Sequence, residues 1–335
     1  MIANYSFKKV AICHIGIDAG FFCEYSYMLE IMLYCLEHQI QFKLYSKDAN
    51  FGYEKGWRDY FEPFCVEVTD SFHHFCNFHS IQPWIRIWKN RNLIETPSIR
   101  WKIKLETLSL YGKLMKLKKG DFNYYTYDIT DRLSTKDSQF CISALNFNGD
   151  YLDAFRLVDS IAWHFNEATH SAIEMLIATL NLPKNYIGCQ IRGGDKNIEF
   201  KIYSPDVYID KLRAVSSLKN VFVLTDDYQL LEKLREKAPD YHFYSLCQPS
   251  ERGYYNRIFA KIDAEEKKLR MERFFASIEI LRNAYLFVGT FTSGPSIYIA
   301  NLKWPKVYFV DLDESEYIDA LAGKCNTGTY KRVYR

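Results

Sequence analysis

An apolar segment that runs directly into a charged, glycine-bearing loop constrains this chain most. Residues 186–191 predict a short buried strand, and the glycine pair 193–194 permits a tight turn just beyond it. An arginine fork and a lysine point charge at such a place suit a diphosphate, whose leaving-group charge they neutralise. A surface turn with one exposed ion pair is the alternative interpretation. The charged side chains that crowd the turn are Arg192, Asp195 and Lys196.

The same pattern, an apolar strand with a polar end, occurs twice more. Residues 221–224 lead into Thr225-Asp226-Asp227, and residues 284–289 lead into Thr290-Phe291-Thr292-Ser293. Small hydroxyl residues at such a position cap a following helix and bind anions. Open α/β sheets bind ligands at the carboxyl ends of their strands, so three polar strand ends predict one binding site.

Alternating periodicities predict an α/β protein with parallel sheets. The N-terminal half opens as a Rossmann-like unit, but its first loop, residues 16–20, has too few glycines for a dinucleotide site. Pro183 ends a predicted helix and divides the chain into domains at residues 1–182 and 183–335. The predicted strands are 9–15, 41–45, 186–191, one at 221, one at 242, 285–289 and 307–310; the predicted helices are 24–37, 162–180, 205–216, 229–237, 264–283 and one after Pro295.

Five motifs, taken in order, resemble those of the α-1,6-fucosyltransferases and rhizobial nodulation fucosyltransferases. The resemblance extends from about residue 10 to about residue 300, with a poorly matched stretch at about 80–140. The five motifs are the first loop and helix start at 20–29, Gly56-Trp-Arg-Asp-Tyr-Phe-Glu-Pro63, the loop at 192–196, Thr225-Asp226-Asp227, and Thr290-Phe291-Thr292-Ser293.

The resemblance implies a GT-B-like fold, in which two Rossmann-like domains face each other across a cleft. It also implies a metal-independent, inverting transfer of L-fucose from GDP-fucose to a hydroxyl of an oligosaccharide or glycoconjugate. Glu199 is the first candidate for the base and Asp195 the second, while Asp226 and Asp227 orient the donor or the loop. The remaining candidate donor-site residues are Gln190, Arg192, Gly194, Lys196, Glu279, Thr292 and Ser293.

Three positions depart from the family pattern. Gln190 replaces a histidine, Gly193 replaces a second arginine, and Ser277 replaces an aspartate directed at guanine, with Glu279 two residues further along. These departures favour a UDP- or dTDP-linked sugar as an alternative donor. A catalytically silent sugar-binding homologue is a further alternative, although the retained charges of the 192–196 loop argue against it.

Composition excludes several other classes of protein. The chain has 335 residues and a net charge of +2, which gives no argument for a nucleic-acid partner. Its nine cysteines are scattered along the sequence, which favours a reducing cytoplasm. No apolar run is long enough to span a membrane and no signal peptide is evident, so a soluble chain is expected. The basic, aromatic segment 83–119 predicts a helical insertion that faces the acceptor, contacts an anionic membrane peripherally, or forms a solvated helical face.

We predict neither a metal nor a separate cofactor. Asp311 and Asp313 follow the last strand, where a solvated turn is expected rather than a metal-binding Asp-x-Asp motif. A second group contains metal-ligand residue types at spacings that fit no standard zinc pattern. Its members are Cys65, His73, His74, Cys76 and His79.

Overall fold

The first parallel sheet contains the N-terminal strands and confirms the Rossmann-like opening. This computed structural model describes residues 7–16, 20–71, 73, 114, 122–130, 139–194, 201–313 and 316. Helix α1 (Phe21–Glu37) connects the first two strands of the sheet. It begins at Phe21 rather than at residue 24, because Gly20 serves as its N-cap. The strand order is β3 (Val66–Glu67), β2 (Ile40–Tyr45), β1 (Lys9–His14) and β4 (Tyr124–Tyr125).

Short elements lead from the first sheet to the second. They are α2 (Thr126–Thr130), the antiparallel hairpin of β5 (Phe140–Ile142) and β6 (Phe147–Gly149), α3 (Tyr151–Ala162) and α4 (Glu167–Ala178). The single helix expected at 162–180 is therefore wrong at its start. Ala162 ends α3, and the side chain of Asn166 accepts a hydrogen bond from the Thr169 N–H and begins α4.

The second sheet is five-stranded, parallel and close to the prediction. Its order is β11 (Val307–Phe309), β10 (Leu286–Gly289), β7 (Ile187–Ile191), β8 (Asn220–Thr225) and β9 (His242–Tyr244). The helices of this half are α5 (Pro205–Val215), α6 (Tyr228–Lys237), the short α7 (Asn256–Phe259), α8 (Ala264–Asn283) and α9 (Gly294–Lys303). Because β7 lies between β8 and β10, the three polar strand ends share one edge of the sheet.

An aromatic core joins elements from both ends of the chain. Phe22 of α1 stacks on Tyr298 of α9 with ring centres 4.3 Å apart, and Phe21 meets Phe275 of α8 at 5.0 Å. Trp163, which follows α3, lies 5.4 Å from Tyr298. Close packing of this kind fixes α1 against α9 and so sets the N-terminus of one helix beside that of the other.

A buried carboxylate reinforces this core. Asp159 of α3 is 2% exposed and accepts hydrogen bonds from the hydroxyls of Tyr25 and Tyr298, both at 2.9 Å. Its second oxygen lies 2.9 Å from Nη1 of Arg282 on α8. One carboxylate therefore connects α1, α3, α8 and α9, and each of its contacts compensates for its loss of hydration.

The Gly-Trp-Arg-Asp segment after β2 is a structural turn. The carboxylate of Asp59 accepts four backbone N–H groups, those of residues 53–56, at 2.7–3.0 Å. Gly56 has φ of 68°, and a Cβ there would lie 2.0 Å from the carbonyl oxygen of Ser46. The motif therefore fixes the loop that leaves β2.

Within the part of the chain that the structure describes, no helix combines the length and apolarity that a membrane span requires. The segment 83–119, for which acceptor or membrane contact is predicted, lies outside the described residues apart from Leu114. The domain boundary between residues 182 and 183 stays a prediction.

Candidate active site

Arg192 directly follows β7 and is held from two directions. Its Nε lies 3.5 Å from Oδ2 of Asp226, and its guanidinium carbon lies 5.1 Å from the centre of the Tyr254 ring. The sheet explains the first contact, since Ile191 pairs with Thr225 and the two following segments leave the same edge together. The carboxylate and the ring orient the guanidinium, which lines a cleft at the end of the sheet.

The carboxylates of Asp226 and Asp227 shape the loops of this edge. Asp226 accepts the N–H of Gly193 at 2.7 Å and the N–H of Tyr254 at 2.9 Å. Asp227 caps α6 by accepting the N–H of Gln229 at 3.0 Å. Asp226 and Asp227 were expected to orient either the donor or the loop, and these contacts are with the loops.

Gly194 allows two loops to touch. Its φ is 62°, and a Cβ at this position would lie 2.4 Å from the carbonyl oxygen of Tyr254. A side chain here would meet both backbone strain and a clash with main-chain atoms. The glycine thus lets the Arg192 loop pack directly on the segment that carries Tyr254.

The loop after β10 presents a helix N-terminus to the same cleft. Ser293 is the N-cap of α9, but its side chain makes no capping hydrogen bond. Its Oγ is buried and has no hydrogen-bond partner within the described ranges. Because a helix N-terminus carries partial positive charge and spare N–H groups, an unpaired hydroxyl beside it is suited to an anion.

Asp311 supports this loop from behind. Its carboxylate accepts the N–H of Phe291 at 2.8 Å and the N–H of Thr292 at 3.4 Å. Burial raises the pKa of the Asp311 carboxyl above its ordinary value, although these backbone bonds oppose the shift. The expectation of a solvated turn at Asp311 is therefore wrong, since the side chain is committed to the β10–α9 loop; Asp313 is exposed.

The cleft between these loops contains about 290 Å³ of space free of protein atoms, part of which is open to solvent. Of the predicted site residues it brings together Arg192, Thr292 and Ser293. Sequence reasoning missed the other lining residues, which are Lys201, Ile202, Tyr203, Tyr208 and Thr290. Of these residues, Thr290 belongs to the Thr290-Phe291-Thr292-Ser293 motif at a strand end and could have been predicted from the sequence. A tyrosine at an apolar helix position, such as Tyr208, is instead predicted to belong to the hydrophobic core.

The phenols in the cleft stay neutral. Burial raises the pKa of Tyr208 well above its ordinary value, opposed by a hydrogen bond with Thr290. Burial also raises the pKa of Tyr203, and the nearby Asp311 adds to the effect. Both hydroxyls therefore serve as hydrogen-bonding groups rather than as anions at neutral pH.

Several predicted residues lie elsewhere or outside the described ranges. The side chains of Asp195, Lys196 and Glu199 fall in the undescribed segment 195–200, so their roles stay predictions. Glu279 accepts the indole N–H of Trp163 at 2.7 Å and lies 3.3 Å from Nε of Arg282, away from the residues that line the cleft.

The two other positions relevant to guanine are also engaged within the protein. Gln190 is buried, and its Oε1 accepts a hydrogen bond from the hydroxyl of Ser296. The hydroxyl of Ser277 donates to the carbonyl of Arg273 at 2.8 Å, a local helix bond. Neither residue is among those that line the cleft.

Among the described residues, no group of three or more histidine, cysteine, aspartate or glutamate side chains is arranged to hold a metal ion. His73 instead makes a 2.8 Å hydrogen bond between its Nδ1 and the Tyr125 hydroxyl. Burial raises the pKa of the Cys65 thiol well above its ordinary value. His74, Cys76 and His79 lie outside the described residues.

Comparison with known proteins identifies the fold. No family model and no curated protein sequence matches the chain. A structure of NodZ α-1,6-fucosyltransferase soaked with GDP-fucose matches with a TM-score of 0.51 and 14% identity over 92% of this chain and 96% of that one. The fucosyltransferase NodZ from Bradyrhizobium matches with a TM-score of 0.52 at 13% identity, again over 92% and 96%. A mutant of Arabidopsis thaliana FUT1 in complex with GDP matches with a TM-score of 0.51 at 10% identity over 91% of this chain and 71% of that one. In fold, this chain resembles the α-1,6-fucosyltransferases and has their GT-B-like arrangement of two Rossmann-like units, as the motifs predicted.

Proposed function

We propose that this chain is an inverting glycosyltransferase that transfers L-fucose from GDP-fucose to a hydroxyl of an oligosaccharide or glycoconjugate. One observation carries the proposal: Arg192, the N-terminus of α9 and the Ser293 hydroxyl, which has no hydrogen-bond partner among the described residues, line a single cleft. A cation, a hydroxyl and helix N–H groups together suit a diphosphate. The similarity in fold to proteins whose structures contain GDP-fucose or GDP supports this choice of donor.

The reaction requires a base and a stabilised leaving group. The acceptor oxygen attacks the anomeric carbon while the bond from that carbon to the β-phosphate oxygen breaks, and the bonding electrons leave with the nucleoside diphosphate. The hydroxyl proton passes to a carboxylate, for which Glu199 is the first candidate and Asp195 the second. Arg192 and Lys196 neutralise the charge that develops on the diphosphate, and Thr292 and Ser293 donate hydrogen bonds to it.

A UDP- or dTDP-linked sugar is the alternative donor, and specific contacts favour it. A carboxylate accepts the paired N–H groups of guanine, but Ser277 donates its hydroxyl to the Arg273 carbonyl instead. Glu279, the nearest carboxylate along α8, is engaged with Trp163 and Arg282. The cationic cleft suits the diphosphate of either donor, so the two donors differ in how the protein would recognise the nucleobase.

Calorimetric titration with GDP, UDP and dTDP tests the proposal directly. Tighter binding of GDP by tenfold or more supports the GDP-fucose assignment, whereas a preference for a pyrimidine nucleotide moves the assignment to the alternative donor. Binding without release of nucleoside diphosphate from any sugar donor, measured across a panel of glycan acceptors, would indicate a silent sugar-binding homologue. Absence of binding by all three nucleotides contradicts the proposal altogether.

A further inference from the structure

We infer that Tyr254 and Asn256 are positioning residues that couple Arg192 to the loop leaving the N-terminal sheet. The inference rests on the proposed function, because it concerns how the diphosphate-binding arginine is held. It assigns a role to a segment, residues 253–256, that carries no candidate residue in the motif analysis. Three contacts in series carry it.

The first contact fixes the guanidinium of Arg192. The Tyr254 ring lies 5.1 Å from the guanidinium carbon, and the N–H of Tyr254 binds the same Asp226 oxygen that lies 3.5 Å from Arg192 Nε. The Tyr254 ring thus contacts Arg192 directly, and the Tyr254 backbone acts on Arg192 through Asp226. A shift of Tyr254 therefore changes the direction in which the cation points.

The second contact fixes Tyr254. Its hydroxyl donates to Oδ1 of Asn256 at 2.8 Å, and both residues are partly buried. A tyrosine ring held at its hydroxyl end as well as at its backbone has little freedom to rotate. Asn256 therefore sets the plane of the ring that packs on Arg192.

The third contact crosses to the other half of the molecule. Nδ2 of Asn50, in the loop after β2, donates to the same Oδ1 of Asn256 at 2.8 Å. A parallel contact lies nearby, where Lys267 Nζ is 3.4 Å from the carbonyl oxygen of Gly52. The loop between β2 and the Asp59 turn is thus joined to the segment that orients Arg192, and a displacement of that loop is transmitted to the cation.

Variants at Tyr254 separate the ring from its hydroxyl. Loss of a cation–π contact in Tyr254→Leu should weaken binding of the preferred nucleoside diphosphate by about three- to thirtyfold. Tyr254→Phe keeps the ring and loses one hydrogen bond, so its loss should be smaller, about two- to tenfold. The control is Tyr285→Phe, because Tyr285 is exposed and lies at the opposite edge of the second sheet.

Variants at the two asparagines test the link between the halves. Asn256→Ala and Asn50→Ala should each lower donor kcat/KM by about two- to tenfold, and the double variant should lose no more than Asn256→Ala alone, since both contacts pass through one oxygen. Asn256→Asp retains an oxygen acceptor and should recover most of the activity. Asn283→Ala is the control, because the Asn283 side chain donates to the Glu279 carbonyl within α8 and Asn283 is not among the residues that line the cleft.

A double-mutant cycle distinguishes positioning from a general structural effect. If Tyr254 acts through the arginine, Tyr254→Leu should change nucleotide affinity by less than about twofold in an Arg192→Lys background, where the planar guanidinium is absent. An undiminished effect in that background, or wild-type affinity in Tyr254→Leu alone, overturns the inference while leaving the proposed function intact. If the wild-type protein binds no nucleoside diphosphate, both fail together.

Discussion

At the scale of single residues, the cleft depends on one guanidinium. We expect Arg192→Ala to retain the fold and to lose transferase activity, because a charged contact to a diphosphate is worth on the order of 2 to 4 kcal/mol in the transition state. Turnover of donor and acceptor should fall by about 30- to 1,000-fold, measured as release of nucleoside diphosphate. Circular dichroism and thermal unfolding check that the fold persists.

A matched arginine provides the control for this experiment. Arg213 is half exposed and pairs with Asp240 on the surface of the second half, so Arg213→Ala should leave turnover within twofold of wild type. If Arg192→Ala also stayed within threefold of wild type, Arg192 could not be the residue that stabilises the leaving group.

The Ser293 hydroxyl yields a second prediction at this scale. Since Oγ is buried and makes no hydrogen bond with any described residue, Ser293→Ala breaks no hydrogen bond within that part of the chain and should change the free energy of unfolding by less than about 1 kcal/mol. Nucleotide affinity should nevertheless fall by about three- to twelvefold, because the hydroxyl no longer donates to the diphosphate. Urea unfolding and calorimetry measure the two quantities. Equal affinity in wild type and variant would remove Ser293 from the site.

At the scale of elements, partly buried carboxylates hold the loops that leave the second sheet. Asp226 joins the loop after β7 to Tyr254. Asp311, which follows β11, joins the end of that strand to the loop after β10. Such carboxylates are rigid supports because backbone N–H groups occupy their oxygens. The loops are thus shaped before any ligand binds, which favours preorganised charge stabilisation.

The raised pKa of Asp311 predicts a pH effect on stability. Its ordinary pKa is 3.8, and the value in the folded protein is higher. Between the two values the native state binds more protons than the unfolded state, so the contribution of this group to stability falls as pH rises through that window. The free energy of unfolding of wild type, relative to that of Asp311→Asn, should therefore decrease as the pH rises through 3.8 and on toward the higher pKa of the folded protein.

Denaturant unfolding of both proteins across this range isolates the effect, because other carboxyl groups titrate equally in the two. Any loss of backbone hydrogen bonds in Asp311→Asn shifts the curve without changing its slope with pH. A wild-type stability that rises relative to the variant over the same range would show that the folded-state pKa is lowered instead.

At the scale of the whole molecule, Asp159 is the polar contact that unites the helices of the shared core. Asp159→Ala removes the buried carboxylate that Arg282 and two tyrosines share, and we expect a destabilisation of about 3 to 5 kcal/mol. The control is Asp153→Ala, which removes an exposed pair with Arg156 and should cost less than about 1 kcal/mol. Urea unfolding measures both; equal losses would mean that the buried network adds no stability.

The cationic cleft also predicts that transfer persists without divalent metal. Arg192, with the predicted contribution of Lys196, would supply the charge neutralisation that a metal ion provides in other transferases. Turnover should therefore stay within about twofold of its starting value after treatment with EDTA. Complete loss, restored by manganese or magnesium, would contradict the prediction.

Local periodicity determined most of the secondary structure. The prediction of α8 over residues 264–283 is confirmed to the residue, and β7 and β8 begin within one residue of their predicted starts. These elements carry unambiguous apolar periods, and caps such as Asp263 mark their ends. The break between α3 and α4 was missed because two apolar helical stretches are separated by few residues, and only the capping bond of Asn166 reveals the boundary.

The sequence also determined that polar strand ends would meet, and Arg192, Thr292 and Ser293 do line one cleft. Only the tertiary structure decided how each polar side chain is used. Asp226, Asp311 and Glu279 are committed to protein partners, and Lys201 and Tyr208 enter the cleft from outside the polar strand ends. The sequence does not distinguish a carboxylate that binds a ligand from one that accepts a backbone N–H. Which of the two occurs depends on the distant segment that the fold places within hydrogen-bonding distance.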